Sequence, residues 1–163
     1  MATLYPVAGC RIFIGPAVEL PDEDVDATDF TSVTWTEVKN WSQMGSYGDT
    51  ATLITTALID KGRDVKQKGT RNAGSMQNVF AVAAADAGQI AVIAAEKTRN
   101  NYPFKIELND KPAVGASPKN SQRLFMGLVM SAQEQGGEAN TIQNLNVTIE
   151  INTNIVPVAA SAT

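Results

Sequence analysis

The chain has no histidine and a single cysteine, Cys10, among its 163 residues. Without histidine it has no imidazole to act as a general base, to complete a Ser-His-Asp triad or to bind a metal ion. A single thiol excludes a disulfide bond within the chain and a zinc site built from several cysteines. None of the 17 acidic residues sits in a motif that would separate the pKa values of a carboxylate pair. We therefore expect no enzyme activity, no metal and no cofactor.

Charge and long apolar runs are also scarce. Charged residues make up 18% of the chain, the net charge is −4 and the pI is about 4.8, which does not suit a protein that binds nucleic acid by neutralising phosphates. No apolar run approaches the ~20 residues that a membrane span needs, and the N-terminus lacks a basic segment followed by an apolar one. We expect a protein made in a cytoplasm that does not enter a membrane. Its surface should be rich in Thr, Asn, Gln and Ser, which suits contact with further copies of itself.

The clearest pattern is the strict alternation near the C-terminus. Leu145, Val147, Ile149 and Ile151 fall on one face of a predicted strand. The other face is polar and consists of Asn144, Asn146, Thr148, Glu150 and Asn152. This period of two is typical of a half-buried antiparallel strand. The preceding strand, 121–135, has apolar residues on both faces and is joined to it through Gly136 and Gly137. A hairpin of this length favours a role in assembly.

Other segments complete a mainly β pattern with one helix. Strands are predicted at 10–14, 31–38, 50–59, 63–68, 75–84 and 102–108, with a loop at 69–74. A helix over 87–98 begins at Asp86, whose spacing to Gln89 predicts a capping box. Ile90, Ile93, Ala94 and Lys97 are predicted to share one face of this helix. We therefore predict one domain over 1–163, an antiparallel β-sandwich or barrel with one short flanking α-helix.

Two ligand-binding motifs are incomplete. Asp22, Asp24 and Asp26 have the spacing of a calcium loop, but Ala27 and Val33 stand where that loop needs Gly and a bidentate Glu. The segment 69–75 has the glycine spacing of a phosphate-binding loop but lacks its lysine, and no helix pattern follows. The acidic residues are thus predicted to form a solvated loop.

A basic hairpin lies between two of the predicted strands. It carries Lys61, Arg63, Lys66, Lys68 and Arg71, without interleaved aromatic residues. A nucleic-acid patch would need more cations than this at physiological salt. Two interpretations remain: a solvated hairpin face, or a surface that pairs with the acidic loop of another subunit.

The aromatic residues of the long segment before position 48 have two possible roles. Trp35 is predicted to belong to the core and Trp41, with Met44 and Tyr47 nearby, to contact another subunit. The predicted contact residues between subunits and rings are Trp41, Met44, Tyr47, Glu23, Asp24, Asp26, Lys61, Arg63, Lys66 and Lys68.

Several segments together resemble the major tail tube proteins of long-tailed bacteriophages with non-contractile tails. They are Trp41–Gly48 leading into the Thr-rich strand 50–59, the element Lys68–Arg71, the helix start Asp86–Gln89, the strand 102–108 and the closing strands that end at Val156. The resemblance covers most of the chain from Trp41 onward and rests on the order of these elements.

The resemblance implies a structural protein of the virion tail that forms stacked six-membered rings. Genomic DNA would pass through their acidic or neutral bore during ejection without specific binding, and tape-measure and tail terminator proteins would be partners. Residues 1–9 and 157–163 would be arms, and 15–48 would be the long loop between subunits. The polar face of the closing strand, from Asn144 to Asn152, is a candidate for the bore, although the same face could meet bulk solvent.

Two alternatives remain. One is the tube subunit of a secretion or contractile injection system. The other is a carbohydrate-binding or receptor-binding module with Trp41 and Tyr47 as its platform.

Overall fold

Ten β-strands and one α-helix form the regular structure of residues 3–163, the part of the chain that the computed structural model describes. The strands are β1 (Arg11–Ile14), β2 (Thr36–Val38), β3 (Trp41–Gln43), β4 (Thr50–Thr56), β5 (Val65–Asn72), β6 (Ser75–Ala81), β7 (Tyr102–Glu107), β8 (Gln122–Gln135), β9 (Asn144–Ile151) and β10 (Val156–Val158). The helix, α1, is Ala87–Glu96, and a 3-10 turn spans Ala27–Phe30. The predicted mainly β, antiparallel fold with one helix is confirmed.

One curled sheet holds eight of the strands. Its order is β2-β1-β7-β8-β9-β6-β3, β10 pairs with the start of β8, and all of these pairings are antiparallel. The two outermost strands, β2 and β3, are separated in sequence only by Lys39 and Asn40. Asn40 adopts a φ of 60°, a left-handed conformation that Asn tolerates better than most residues. Because two residues join its edges, the sheet must curl until these edges approach each other.

The main core fills the inside of this curl. Phe104 of β7 stacks on Phe125 of β8 at 5.6 Å between ring centroids, and both are fully buried. Leu145, Val147, Ile149 and Ile151 all point into it, as the alternation of β9 predicts. A smaller cluster lies on the other face of β8, where Leu124 and Met126 pack against Val25 and Phe30. The first half of β8 is therefore buried on both faces, as its sequence predicts.

Helix α1 closes the curl, but through a different face from the predicted one. Its buried residues are Gly88, Gln89, Val92 and Ala95, whereas Ile90, Ala94 and Lys97 are exposed and Ile93 is half-buried. The face that Ile90, Ile93, Ala94 and Lys97 were predicted to share is therefore mostly exposed, because a sequence that is apolar nearly all round does not specify which face turns inward.

The start of α1 ties the two edges of the sheet together. Asp86 caps the helix by accepting a hydrogen bond from the Gln89 N–H at 2.9 Å, so that half of the predicted capping box is present. The Gln89 side chain does not return to Asp86. Its Nε2 donates to the carbonyls of Lys39 and Ala81, and its Oε1 accepts from the Ala83 N–H. This buried amide links the crossover between β2 and β3 to the end of β6.

Several predicted boundaries change. The strand predicted at 31–38 is reduced to β2, and β3, which the sequence did not indicate, contains the predicted contact residue Trp41. The strand predicted at 63–68 continues through the supposed loop as far as Asn72, with a register shift opposite Ala51 and Leu53. The predicted long loop 15–48 therefore contains both edge strands of the sheet.

The C-terminal segment is anchored to the body. Pro157 and Val158 belong to β10, which pairs with Arg123 and Gln122, and Ser161 forms a bridge to Lys119. The predicted arm 157–163 is therefore held along most of its length in the single subunit. In the N-terminal arm, residues 3–9 are exposed, and Met1 and Ala2 lie outside the described residues.

Candidate assembly surfaces

The predicted bore face extends across three strands and is mostly polar. Thr148 lies opposite Gln77 of β6 and Ser131 of β8, and Asn146 lies opposite Val79 and Gln133. Directly opposed residues share a face of a sheet, so amide and hydroxyl groups predominate on this surface. Asn144, Asn146, Thr148 and Glu150 are half-buried; Asn152 follows the strand, and its amide donates to the Asn101 side chain.

Charge is divided unevenly along the sheet. Strands β3, β6 and β9 and residues 128–135 of β8 contain no Lys or Arg, and Glu150 is the charged residue of their polar face. The cations of the sheet, Arg11, Lys105 and Arg123, lie on β1, β7 and the start of β8. A surface without cations cannot hold phosphates by ion pairing. The polar face of the β3-β6-β9 part of the sheet therefore offers no ion pair to a phosphate.

The cations of β1 and β7 contact groups within their own subunit. Arg11 donates to Glu107 at 2.7 Å and approaches Glu37 at 3.9 Å. The Lys105 ammonium lies 4.2 Å from the centre of the Phe13 ring and 5.1 Å from that of Trp35, and burial lowers the pKa of this lysine. Burial tends to raise the pKa of Glu107, but hydrogen bonds from Asn120 and Arg11 outweigh it, and this pKa lies below its ordinary value.

The predicted basic hairpin is a separate two-stranded sheet, β4–β5, whose strands are exposed along nearly their whole length. Its two faces differ. The pairs Leu53–Lys68 and Thr55–Lys66 share one face, and the pairs Ile54–Gln67 and Thr56–Val65 share the other. One face is thus cationic and the other neutral. Among residues 3–163, Lys61, Arg63, Lys66 and Lys68 have no carboxylate within 4.0 Å, whereas Arg71 pairs with Asp49 at 2.8 Å.

The predicted acidic contacts divide into two groups. Asp26 serves its own subunit, because its carboxylate caps the 3-10 turn through Thr28, whose hydrogen bonds lower the pKa of Asp26. Glu23 and Asp24 are exposed and free of basic partners among the described residues. Asp24 also lines a cleft of roughly 580 Å³ with Arg71 at the base of the hairpin. The acidic segment and the hairpin base are therefore neighbours within one subunit.

The predicted aromatic contacts lie at the border of the core. Trp41 stacks on Phe80 at 6.3 Å, and its indole N–H donates to Asn78 Oδ1 at 3.1 Å. Met44 and Tyr47 also pack against the main core, and burial raises the pKa of Tyr47. Trp35 packs in the smaller cluster and stacks on Phe30. Both tryptophans thus contribute to packing, and contact of Trp41 with another subunit stays a prediction.

Two further types of site are absent from residues 3–163. The α-helix in that range, α1, is too short to span a membrane. No group of three or more His, Cys, Asp or Glu side chains in the same range is arranged to hold a metal ion.

Solved structures share this fold over nearly the whole chain. A baseplate protein of the anti-feeding prophage, from a 6-fold symmetrised structure, is 10% identical with a TM-score of 0.69, and the match covers 98% of each chain. The SPP1 tail tube protein is 12% identical with a TM-score of 0.66, covering 94% of this chain and 80% of that one. The sheath/tube terminator structure of the extracellular contractile injection system PVC gives 14% identity, a TM-score of 0.67 and coverage of 97% and 99%. The chain matches no protein-family model and no curated protein sequence. The fold is thus that of tail tube and related injection-machine proteins.

Proposed function

We propose that this chain is a structural subunit that assembles into stacked hexameric rings and forms the tube of a phage tail. The observation that carries the proposal is the match of nearly the whole chain to the SPP1 tail tube and to a baseplate protein in a 6-fold assembly. The exposed β4–β5 hairpin supports it independently, because an isolated two-stranded sheet is at best marginally stable in water and gains from a covering surface.

In the proposed tube, the polar face of β9 lines the bore and genomic DNA passes along it during ejection. A wall of amides and hydroxyls with Glu150 as its charge would offer phosphates no cation and would repel them at Glu150. The segment 15–48 and the N-terminal arm would bridge subunits and rings, with tape-measure and tail terminator proteins at the ends of the tube. The protein would be assembled in the bacterial cytoplasm and reside in the virion tail.

Electron microscopy of the purified protein tests this proposal directly. Rings or tubes with a central channel are expected at high protein concentration. A strictly monomeric sedimentation profile, both alone and with assembly partners, would contradict the proposal.

A tube of a contractile injection system is the second candidate. It is favoured by the matches to the anti-feeding prophage and PVC structures, which cover 98% and 97% of this chain, respectively. A sheath gene beside the gene for this chain would favour the injection machine, and its absence would favour the non-contractile tail. The carbohydrate-binding alternative has less support. Trp41 stacks on Phe80 and donates its indole N–H to Asn78, which leaves less of its ring available to a ligand.

A further inference from the structure

The β4–β5 hairpin is joined to the body by two short connections. Residues 44–49, which we call the entry leg, lead into β4, and residues 72–74, the exit leg, lead from the end of β5 into β6. The hairpin pairs with no strand of the main sheet and is exposed along nearly its whole length. Its direction is therefore decided at these two legs.

A buried amide holds the start of the entry leg against β6. Asn78 is 1% exposed, and its Oδ1 accepts hydrogen bonds from the Gly45 N–H at 3.0 Å and from the Trp41 indole N–H at 3.1 Å. The leg passes so close to β6 that a Cβ at Gly45 would overlap the backbone of Gln77. Tyr47 then packs against the main core. The entry leg is thus fixed as far as Tyr47.

The exit leg is fixed at every residue. Ala73 is buried in the main core. The Asn72 Oδ1 accepts a hydrogen bond from the Gly74 N–H at 2.8 Å, and the Gly74 carbonyl accepts one from the Ile151 N–H of β9 at 3.0 Å. This corner sets the direction of β5 relative to the body.

Gly48 is the least constrained residue of the two legs. Its φ is 143°, and a Cβ there would meet no atom within 4 Å. Gly74 has similar open space, but the two hydrogen bonds described above hold it. Glycine turns more freely than any other residue, so Gly48 by itself would let β4 swing. The next residue prevents this, because the Asp49 carboxylate lies 2.8 Å from the guanidinium of Arg71 on β5. The ion pair ties the free leg to the fixed strand.

We propose that the hairpin projects in one fixed direction before assembly, and that Asp49 and Arg71 are the residues that position it. The Arg71 side chain is 70% exposed, so the pair adds little to the stability of the fold itself. The consequence for assembly rests on the proposed function. A hairpin that is already in place loses little conformational freedom when two copies meet, which favours their association.

Spin-label distances in the unassembled subunit test the fixed direction. In a Cys10→Ser background, labels are attached at Thr55→Cys of the hairpin and at Ile90→Cys of α1, both of which are exposed positions. Thr55 lies on the order of 16 Å from the hairpin base, so a swing of about 30° would move it by roughly 8 Å. We expect a single distance peak, as narrow as that of a control pair within the body, Ile90→Cys with Gln77→Cys. A clearly broader distribution would overturn the proposal.

Charge reversal tests the role of the ion pair. Asp49→Arg should broaden the distribution of distances between Thr55 and Ile90 and raise the protein concentration needed for assembly about 5-fold, the upper end for an exposed pair. The exchange variant Asp49→Arg/Arg71→Asp should recover both, because it restores the attraction. The melting temperature of the unassembled subunit should stay unchanged in both variants. Glu96→Arg makes the same charge change at the exposed end of α1 and should affect none of these measurements.

The outcomes separate this inference from the proposed function. A narrow distribution that Asp49→Arg leaves unchanged would overturn the role of the ion pair. Loss of assembly together with a lower melting temperature, without recovery in the exchange variant, would show a purely structural role and overturn it as well. A parent protein that never assembles would overturn the proposed function, whereas the spin-label distances would still decide whether the hairpin has a fixed direction.

Discussion

Replacing Gln89 by leucine tests whether its side-chain hydrogen bonds hold the curled sheet closed. The Gln89 side chain is 97% buried and makes three hydrogen bonds of 2.9–3.0 Å, to the carbonyls of Lys39 and Ala81 and to the Ala83 N–H. Since Lys39 lies at the surface, water can replace one of these bonds. The other two groups would lose their partners at about 1–2 kcal/mol each, so we expect Gln89→Leu to lower the free energy of unfolding by about 2–4 kcal/mol.

Chemical denaturation of the unassembled protein, followed by tryptophan fluorescence, measures this loss. Gln77→Leu is the matched control, because Gln77 is exposed on the polar face and makes no side-chain hydrogen bond in the described structure; its effect should stay within about 0.5 kcal/mol. If Gln89→Leu is no more destabilising than this control, the hydrogen bonds of Gln89 do not stabilise the closed sheet.

The variant Gln89→Glu adds a dependence on pH. Burial and two facing carbonyl oxygens would raise the pKa of the introduced carboxyl above its unfolded value of about 4.3. A raised folded pKa gives stability that is present below the unfolded pKa and is lost as pH rises through the folded one. This variant should therefore be closest to the parent near pH 4 and progressively less stable toward pH 8, and an effect independent of pH would refute the reasoning.

Three further outcomes are expected. Gly88→Ala should lower the melting temperature, because a Cβ there would overlap the backbone of β2, whereas Gly62→Ala, which meets nothing within 4 Å, should not; equal melting temperatures would contradict the tight packing of α1 on β2. Because the folded pKa of Glu107 is depressed, its contribution to stability is present above its unfolded pKa of about 4.3 and is lost as pH falls through the folded value. Glu107→Gln should therefore make the free energy of unfolding fall less steeply as the pH is lowered into the acid range. An unchanged pH dependence would show that Glu107 does not contribute. Assembly should weaken as salt rises and when Lys66 and Lys68 are both changed to Glu, and light scattering that is indifferent to both changes would exclude attraction between the hairpin and an acidic surface.

The long strands could be predicted from sequence because their patterns are local. Alternation along β9 fixes which residues face the core, and apolar residues on both faces of β8 indicate burial on both sides. β3 was missed because three residues, Trp41–Gln43, are too few to show a period, and its pairing with β6 depends on residues more than thirty positions away.

The buried face of α1 could not be predicted from sequence. Ile90 and Val92 are both apolar, and only the packing of Gly88 against the backbone of β2 decides which side turns inward. The role of Gln89 was missed for a related reason: the capping-box pattern accounts for its spacing from Asp86, but not for carbonyls that arrive from distant strands.

The candidate surfaces were predicted in part. The cations of the hairpin and the polar face of β9 are visible in the sequence. The exposure of Leu58 and Ile59 beyond the end of β4 was not recognised, because these residues continue an apparently regular strand from Thr50. The groove that Ile14, Ala94 and Tyr102 line beside α1 depends on the pairing of β1 with β7, and no local pattern indicates that pairing.

A cryo-EM map of the assembled protein would test the central claim most directly. We predict six-membered rings stacked around a channel, with Asn146, Thr148 and Glu150 of β9 facing the channel. A map in which this face meets outer solvent, or particles in which copies never surround a common axis, would contradict the account.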